Sequence, residues 1–418
     1  MKRLYPTTSI HDQRGENMIK KNIWEKLEKI LIYAFLTYIV FMGIIPFKFL
    51  DELITILLIG IHIVKNKKLV IDKKKIILLL IYILITFLTV LIRKYYLEAY
   101  IMDLIYTLKP FILLEAISCT NISDKNLNKY IRFLITINTF SIVYAFYNYY
   151  LASKGIYIEG GLYRNWVYRP DGFSGHPANL ANICMISIAY LFQNIQNIKS
   201  KKSKLYILII VLNLSCIYFT LARLQLFIII IYVMYFIYQK INKTSIKIMV
   251  FLLLAGSCIF TLMDYKKILN NYTNDIDNAI RFQAIKKVPE VLNKYPLLGT
   301  GVGSFSTKES IELNSYVYNE FNFSNIIIET AKKSSMSLFE SNMAKQLIQT
   351  GILGTLLYYS YFFMLYKKIR NNDRKSINAK FWLIFIVISS ALNVIYDVQL
   401  LVPLALLIAN INTKTEEK

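Results

Sequence analysis

The sequence predicts an all-α, polytopic membrane protein with about twelve spans and one long polar loop between the ninth and the tenth. Three observations predict it. Hydrophobic residues fill 56% of the 418 positions, well above the soluble average, and they recur in apolar runs of roughly 17–22 residues, the length that crosses a bilayer as a helix. Lys and Arg, the source of a net charge of +23, gather in short segments between those runs. That placement follows the positive-inside rule, so the charge reports topology and not affinity for nucleic acid. Finally, the stretch from about Asp264 to Glu340 is too long for a plain connector, and loops of such length are usually functional.

Residues 1–29 are polar and basic and precede a run long enough to span, so they read as a cytoplasmic tail without a cleavable signal. Met18, followed by Ile-Lys-Lys, is a more usual start for such a chain. Spans are expected near 30–47, 52–64, 76–92, 100–117, 132–151, 178–194, 204–220, 222–238, 247–264, 341–366, 379–396 and 398–411, the second and the last being short. This divides the chain into a tail (1–29), spans one to nine (30–264), a large extracytoplasmic loop (265–340), spans ten to twelve (341–411) and a second tail (412–418). Lys65, Lys67, Lys68, Lys73, Lys74 and Lys75 mark one inner loop, and Lys367, Lys368, Arg370, Arg374, Lys375 and Lys380 mark another. Both termini are therefore expected inside and the long loop outside. The same alternation puts the stretch Glu159 to Asn179 and the short hairpin Phe219 to Arg223 on the outer face.

Span four carries Asp103, Glu115 and a Lys109-Pro110 pair, which implies a kinked helix facing protein or a wet cavity. In the long loop, Ile280, Phe282, Ile285, Val288 and Leu292 fall near helical spacing, so Arg281 is expected on a short amphipathic helix lying on the membrane surface. Pro296 and Gly299, Gly301 and Gly303 then end it. Tyr316, Tyr318, Phe321 and Phe323 suit an interfacial aromatic belt or stacking on sugar rings.

The ligand inventory excludes several chemistries. Three histidines in all (His11, His62, His176) and four cysteines without paired spacing (Cys119, Cys184, Cys216, Cys258) argue against a metal centre and against a disulfide framework. No cofactor is expected. Arg169, Arg223 and Arg281, with Arg164 as a fourth, lie near the outer boundary of the bilayer, where guanidinium forks match phosphate oxygens. The bland alternative for each is snorkelling to head groups, least easily applied to Arg223, which interrupts nearly continuous apolar sequence. The run Gly299-Thr300-Gly301-Val302-Gly303 lacks the spacing of a nucleotide loop. Its glycines either let main-chain N–H groups approach an anion or form tight turns. Two groups qualify as a general base. Glu340 stands at the entry to span ten, where partial desolvation raises a carboxylate pKa, or else it caps the helix. His176 is the only outward histidine, with a structural hydrogen bond as its alternative.

Four patterns, in order, resemble the O-antigen polymerase and ligase superfamily. They are an Arg-x-x-Gly-Phe-x-x-x-Pro-x-x-Leu-Ala from Arg169 to Ala181, a Thr-x-x-Arg from Thr220 to Arg223, and an Arg on a helix (Arg281) before Pro296 to Phe305. The fourth is a polar pair, Glu340-Ser341, before a Leu-x-x-x-Gly-x-x-Gly from Leu347 to Gly354. The resemblance covers roughly residues 160–360. It implies a GT-C-like membrane glycosyltransferase that moves a glycan from an undecaprenyl-pyrophosphate-linked donor to an acceptor hydroxyl at the outer face of the bacterial cytoplasmic membrane, with inversion and without metal or nucleotide. It assigns Glu340, His176, Arg223 and Arg281 to catalysis, and Arg169, Arg164, Gly301 and Gly303 to substrate binding. Donor, acceptor, membrane lipids and a chain-length regulator are the implied partners, with no nucleic acid. The ligase branch typically has His-Asn where this chain has Glu340-Ser341, which favours a polymerase of repeat units. A ligase of the same superfamily and a lipid-linked oligosaccharide transporter remain as alternatives.

Overall fold

In hydrocarbon a backbone has no water to satisfy its N–H and C=O groups, so apolar runs of this kind close their hydrogen bonds internally as helices. The computed structural model describes residues 10–47, 49–66, 72–158, 161–164, 167–194, 201–240, 276–325, 328–329, 341–369, 374–391 and 397–416, without the side chains of 10–22, 66, 164, 223, 236–240, 276–282, 374 and 414–416. These residues are mostly helical. Among them three helices, Lys73–Arg93, Asp124–Ser153 and Lys201–Phe219, are long and apolar enough to cross a membrane, and Leu224–Tyr235 and Val398–Thr413 are shorter apolar helices. Leu80, Leu84 and Ile92 are exposed on the first of these, a surface that lipid tails would cover. The expected ninth span, 247–264, lies outside the described residues.

One element departs from the all-helical expectation among the described residues. Leu162–Arg164 and Val167–Arg169 pair as an antiparallel hairpin with Tyr163 opposite Tyr168.

Contacts gather the chain into two compact units of interleaved segments: Met1–Val70, Leu113–Ala222 and Asn412–Lys418 in the first, Ile71–Ile112 and Arg223–Ile411 in the second. In the first unit, the helices Ile10–Phe41, Leu50–Asn66, Asp124–Ser153, Pro177–Asn194 and Lys201–Phe219 bury Phe35, Leu36, Leu134, Leu180 and Ile183 completely. A polar contact crosses this core, where the Asn138 side-chain amide donates to Asn213 Oδ1 at 3.3 Å and to Cys184 Sγ at 3.6 Å. Such interhelical bonds hold membrane helices together where no hydrophobic drive separates helix from lipid. Among the described residues Cys184 and Cys216 are free thiols. At the end of the Ile10–Phe41 helix, Gly43 N–H donates to Phe173 O at 2.9 Å. A Cβ on Gly43 would stand 2.3 Å from Gly175 N, so a side chain there would separate the two backbones.

The second unit has an aromatic centre in which Phe111 meets Tyr358, Tyr361 and Phe362 at 4.8, 4.5 and 5.5 Å between ring centroids. A separate apolar core belongs to the long loop. Ala284, Val291, Phe305, Ile311, Val317, Tyr318, Phe321 and Phe323 bury together with Ala344 and Ile348. One sequence expectation is refined here and another is corrected. The helix Ile276–Lys294 forms where expected, but its face of Ala284, Val288 and Val291 packs on protein and Ile285 is 39% exposed. One face of the helix therefore belongs to the loop core, and the side chains of Ile280 and Phe282 lie outside the described residues. Likewise Tyr318, Phe321 and Phe323 are buried and fill a core instead of an interfacial belt, because the segment folds onto itself through the short helices Lys308–Glu312 and Tyr316–Glu320.

Candidate functional site

The helix Asn342–Lys368 is interrupted at Gly351, whose φ of 62° and ψ of −166° are closed to residues with a Cβ. A break in the ladder frees carbonyls on one side and N–H groups on the other, and in a buried segment these need partners. The glycine run supplies them. Thr300 and Gly301 N–H donate to the carbonyls of Ile348 and Gln349 at 2.9 and 2.8 Å, while Ile352 and Leu353 N–H donate to the carbonyls of Pro296 and Leu297 at 2.9 and 3.2 Å. The fit depends on absent side chains: a Cβ on Gly299 would stand 2.5 Å from Gly351 N, and one on Gly351 would stand 2.5 Å from Leu297 O.

Asp103 locks this joint. Its carboxylate, on a residue 1% exposed, accepts from Gly303 N–H at 3.0 Å and from the Gln349 side-chain amide at 2.7 Å, and it pairs with the Lys345 ammonium. Gln349 also donates to Phe305 O at 2.6 Å. A buried carboxylate with two neutral donors and a cation is fully satisfied, which is how a buried charge is retained. Of the two surroundings expected for the stretch 100–117, protein holds for Asp103, whose charge is paired with Lys345.

The geometry decides the role of the glycines. Gly299, Gly301 and Gly303 all have positive φ, and the N–H groups of Gly301 and Gly303 are taken by Gln349 O and Asp103. Neither offers an N–H to a ligand, so the turn reading replaces direct anion binding at Gly301 and Gly303. Ser341 caps the Asn342–Lys368 helix: its hydroxyl accepts from Ala344 N–H at 3.2 Å and donates to Ala391 O at 2.6 Å. Nearby, Tyr318 OH accepts from Ser306 N–H at 3.0 Å and lies 2.7 Å from Ser310 Oγ. Burial raises its pKa, so the phenol stays protonated.

In the first unit, Arg169 ends the second strand of the hairpin, and its Nε donates to Thr220 O at 3.0 Å. Two of the sequence patterns thereby touch, the Arg-x-x-Gly-Phe stretch and the Thr of Thr-x-x-Arg. Asp171, two residues on, accepts from Tyr168 OH at 3.3 Å. Burial raises its carboxyl above the ordinary aspartate range, against lowering by its own backbone N–H and by Tyr168. His176 is exposed, and its Nδ1 accepts from Ala178 N–H at 3.2 Å at the start of the Pro177–Asn194 helix. Glu340 and the side chains of Arg164, Arg223 and Arg281 lie outside the described residues.

Sequence reading missed three participants. Lys345 and Gln349 repeat at i and i+4 on the Asn342–Lys368 helix, an available signal of a polar stripe. Arg93 ends the Lys73–Arg93 helix, where a basic residue carries no signal beyond topology. No family model and no curated protein matches the chain.

Proposed function

We propose that the chain is a membrane glycosyltransferase that polymerises undecaprenyl-pyrophosphate-linked oligosaccharide repeat units at the outer face of the cytoplasmic membrane. The observation that carries this reading is the joint between the glycine run and the broken helix at Gly351. Two of the sequence patterns, some fifty positions apart, act as one structural piece, and the helix they share begins directly after Glu340-Ser341. A rigid scaffold beside the candidate base is what positioned chemistry needs.

In this reading Arg223 and Arg281 hold the donor pyrophosphate and stabilise it as it leaves. The acceptor hydroxyl oxygen attacks the anomeric carbon from the opposite face. The bond from that carbon to the pyrophosphate oxygen breaks with its electron pair going to the pyrophosphate, and Glu340 takes the hydroxyl proton. Glu340-Ser341 in place of a His-Asn pair supports polymerisation over ligation.

The test is reconstitution of the full chain in proteoliposomes with lipid-linked repeat units, read as a ladder on a gel. The wild type yields a ladder. Arg223→Lys loses most of it, because an ammonium lacks the planar fork, and Glu340→Gln lowers turnover roughly 10²-fold or more. A labelled lipid that crosses the bilayer without elongation makes the chain a transporter. Near-normal turnover in Glu340→Gln with a dead His176→Gln moves the base to His176.

A further inference from the structure

We propose that Arg93 binds a phosphate group, as an additional anion-binding residue of the second unit braced on Tyr295. The Lys73–Arg93 helix is 21 residues long, about 30 Å, so its last residue stands at head-group depth. Lys94 follows in the left-handed conformation, and its N–H closes the helix on Leu91 O and Val90 O. The Arg93 guanidinium carbon lies 4.0 Å from the centre of the Tyr295 ring, the residue directly before Pro296 and the glycine run.

The ring is itself fixed. Tyr295 OH donates to Glu320 Oε1 at 2.7 Å, and the same carboxylate pairs with Lys294 Nζ at 2.5 Å. The carboxylate of this cluster is thus occupied by Lys294 and Tyr295. Among the described residues Arg93 makes no ion pair, and its Nε is buried without a hydrogen-bond partner.

A snorkelling arginine behaves differently: its head group is wet, mobile and indifferent to orientation. Stacking on an aromatic face instead holds the guanidinium plane and leaves its N–H edge for a planar, two-point acceptor. Two cations against one carboxylate also leave the cluster positive. A phosphate oxygen pair meets this geometry and charge. Its source is either a prenyl pyrophosphate or an anionic lipid head group. The inference adds to the proposed donor site and in that respect rests on it. Binding measured without turnover keeps the two failures apart.

The full chain and its Arg93→Lys variant are placed in phosphatidylcholine nanodiscs and titrated with farnesyl pyrophosphate, followed by tryptophan fluorescence. In a second arm, phosphatidylglycerol replaces half the lipid and the melting temperature is read. Lysine keeps the charge, so a fold defect is not expected, and equal melting temperatures in phosphatidylcholine alone verify that. An affinity at least about tenfold weaker in Arg93→Lys assigns Arg93 to pyrophosphate. Loss of phosphatidylglycerol-dependent stabilisation alone assigns it to the head group. If both arms match the wild type, the proposal fails and Arg93 is a packing residue for Tyr295. Should Arg93→Lys melt lower, Tyr295→Phe, which keeps the ring and removes the hydroxyl, replaces it: loosening the platform must then weaken one of the two arms, and unchanged arms overturn the proposal.

Discussion

Removing one partner of the Asp103–Lys345 pair must cost far more than removing both. Asp103→Ala leaves an ammonium whose side chain is 10% exposed without its counter-ion, a loss of about 3–5 kcal/mol for a buried pair. It also removes the acceptor of Gly303 N–H, for about 1–3 kcal/mol more. Gln349 retains Phe305 O, so its share is smaller. Lys345→Met leaves a carboxylate still held by two donors and costs about 3 kcal/mol. The double variant buries no charge at all, and its cost falls to that of the orphaned donors, about 1–3 kcal/mol. The coupling energy from the cycle is therefore at least about 3 kcal/mol. Unfolding of each variant in detergent micelles, followed by tryptophan fluorescence against denaturant, measures it. Costs that simply add, with no coupling, would refute the view that this pair is a closed electrostatic unit.

Gly351→Ala forces a Cβ to 2.5 Å from Leu297 O at a φ of 62° and should lower stability by more than about 2 kcal/mol. Gly60→Ala, with nothing within 4 Å of the added Cβ, should be neutral or stabilising by up to about 1 kcal/mol; thermal melts of the pair compare them. Asp171 has a raised carboxyl pKa in the fold, so its contribution is fully present below the unfolded value near about 4 and is lost as pH rises through the folded value. Melting temperatures across that window should show the wild type losing ground to Asp171→Asn, and a gain would mean that burial is not the cause. If arginines supply the charge, polymerisation should persist in chelator, and abolition by EDTA with rescue by Mg²⁺ or Mn²⁺ is the contrary result. Single cysteines at positions 168 and 310 should react with an impermeant reagent in intact cells while those at 73 and 375 do not; the reverse pattern overturns the orientation.

Helices were legible because a 3.6-residue ladder is the one solution for long apolar runs, and the helix Ile276–Lys294 was legible from its spacing. Its partner was not, since the same apolar face serves lipid or protein equally well. The end of that helix before Pro296 was readable from Pro and Gly, yet the partner of the glycine run at Gly351 was hidden, because hydrogen bonds between Gly301 and Gln349 leave no local trace. Asp103 stood out as a charge in a span, but Lys345 lies 242 positions away, and only the fold brings them together. Arg93 was hidden for the opposite reason: at the end of an apolar run, a basic residue is what topology alone demands.

The joint at Gly351 also bears on how the chain is made. The glycine run is synthesised before the helix that completes it, and the carbonyls of Ile348 and Gln349 stay unmatched until Thr300 and Gly301 reach them. A segment with exposed carbonyls partitions poorly into hydrocarbon. Residues 342–368 therefore reach their final shape only as the glycine run docks, and the core around Phe305 and Tyr318 closes in the same step, because Ala344 and Ile348 complete it.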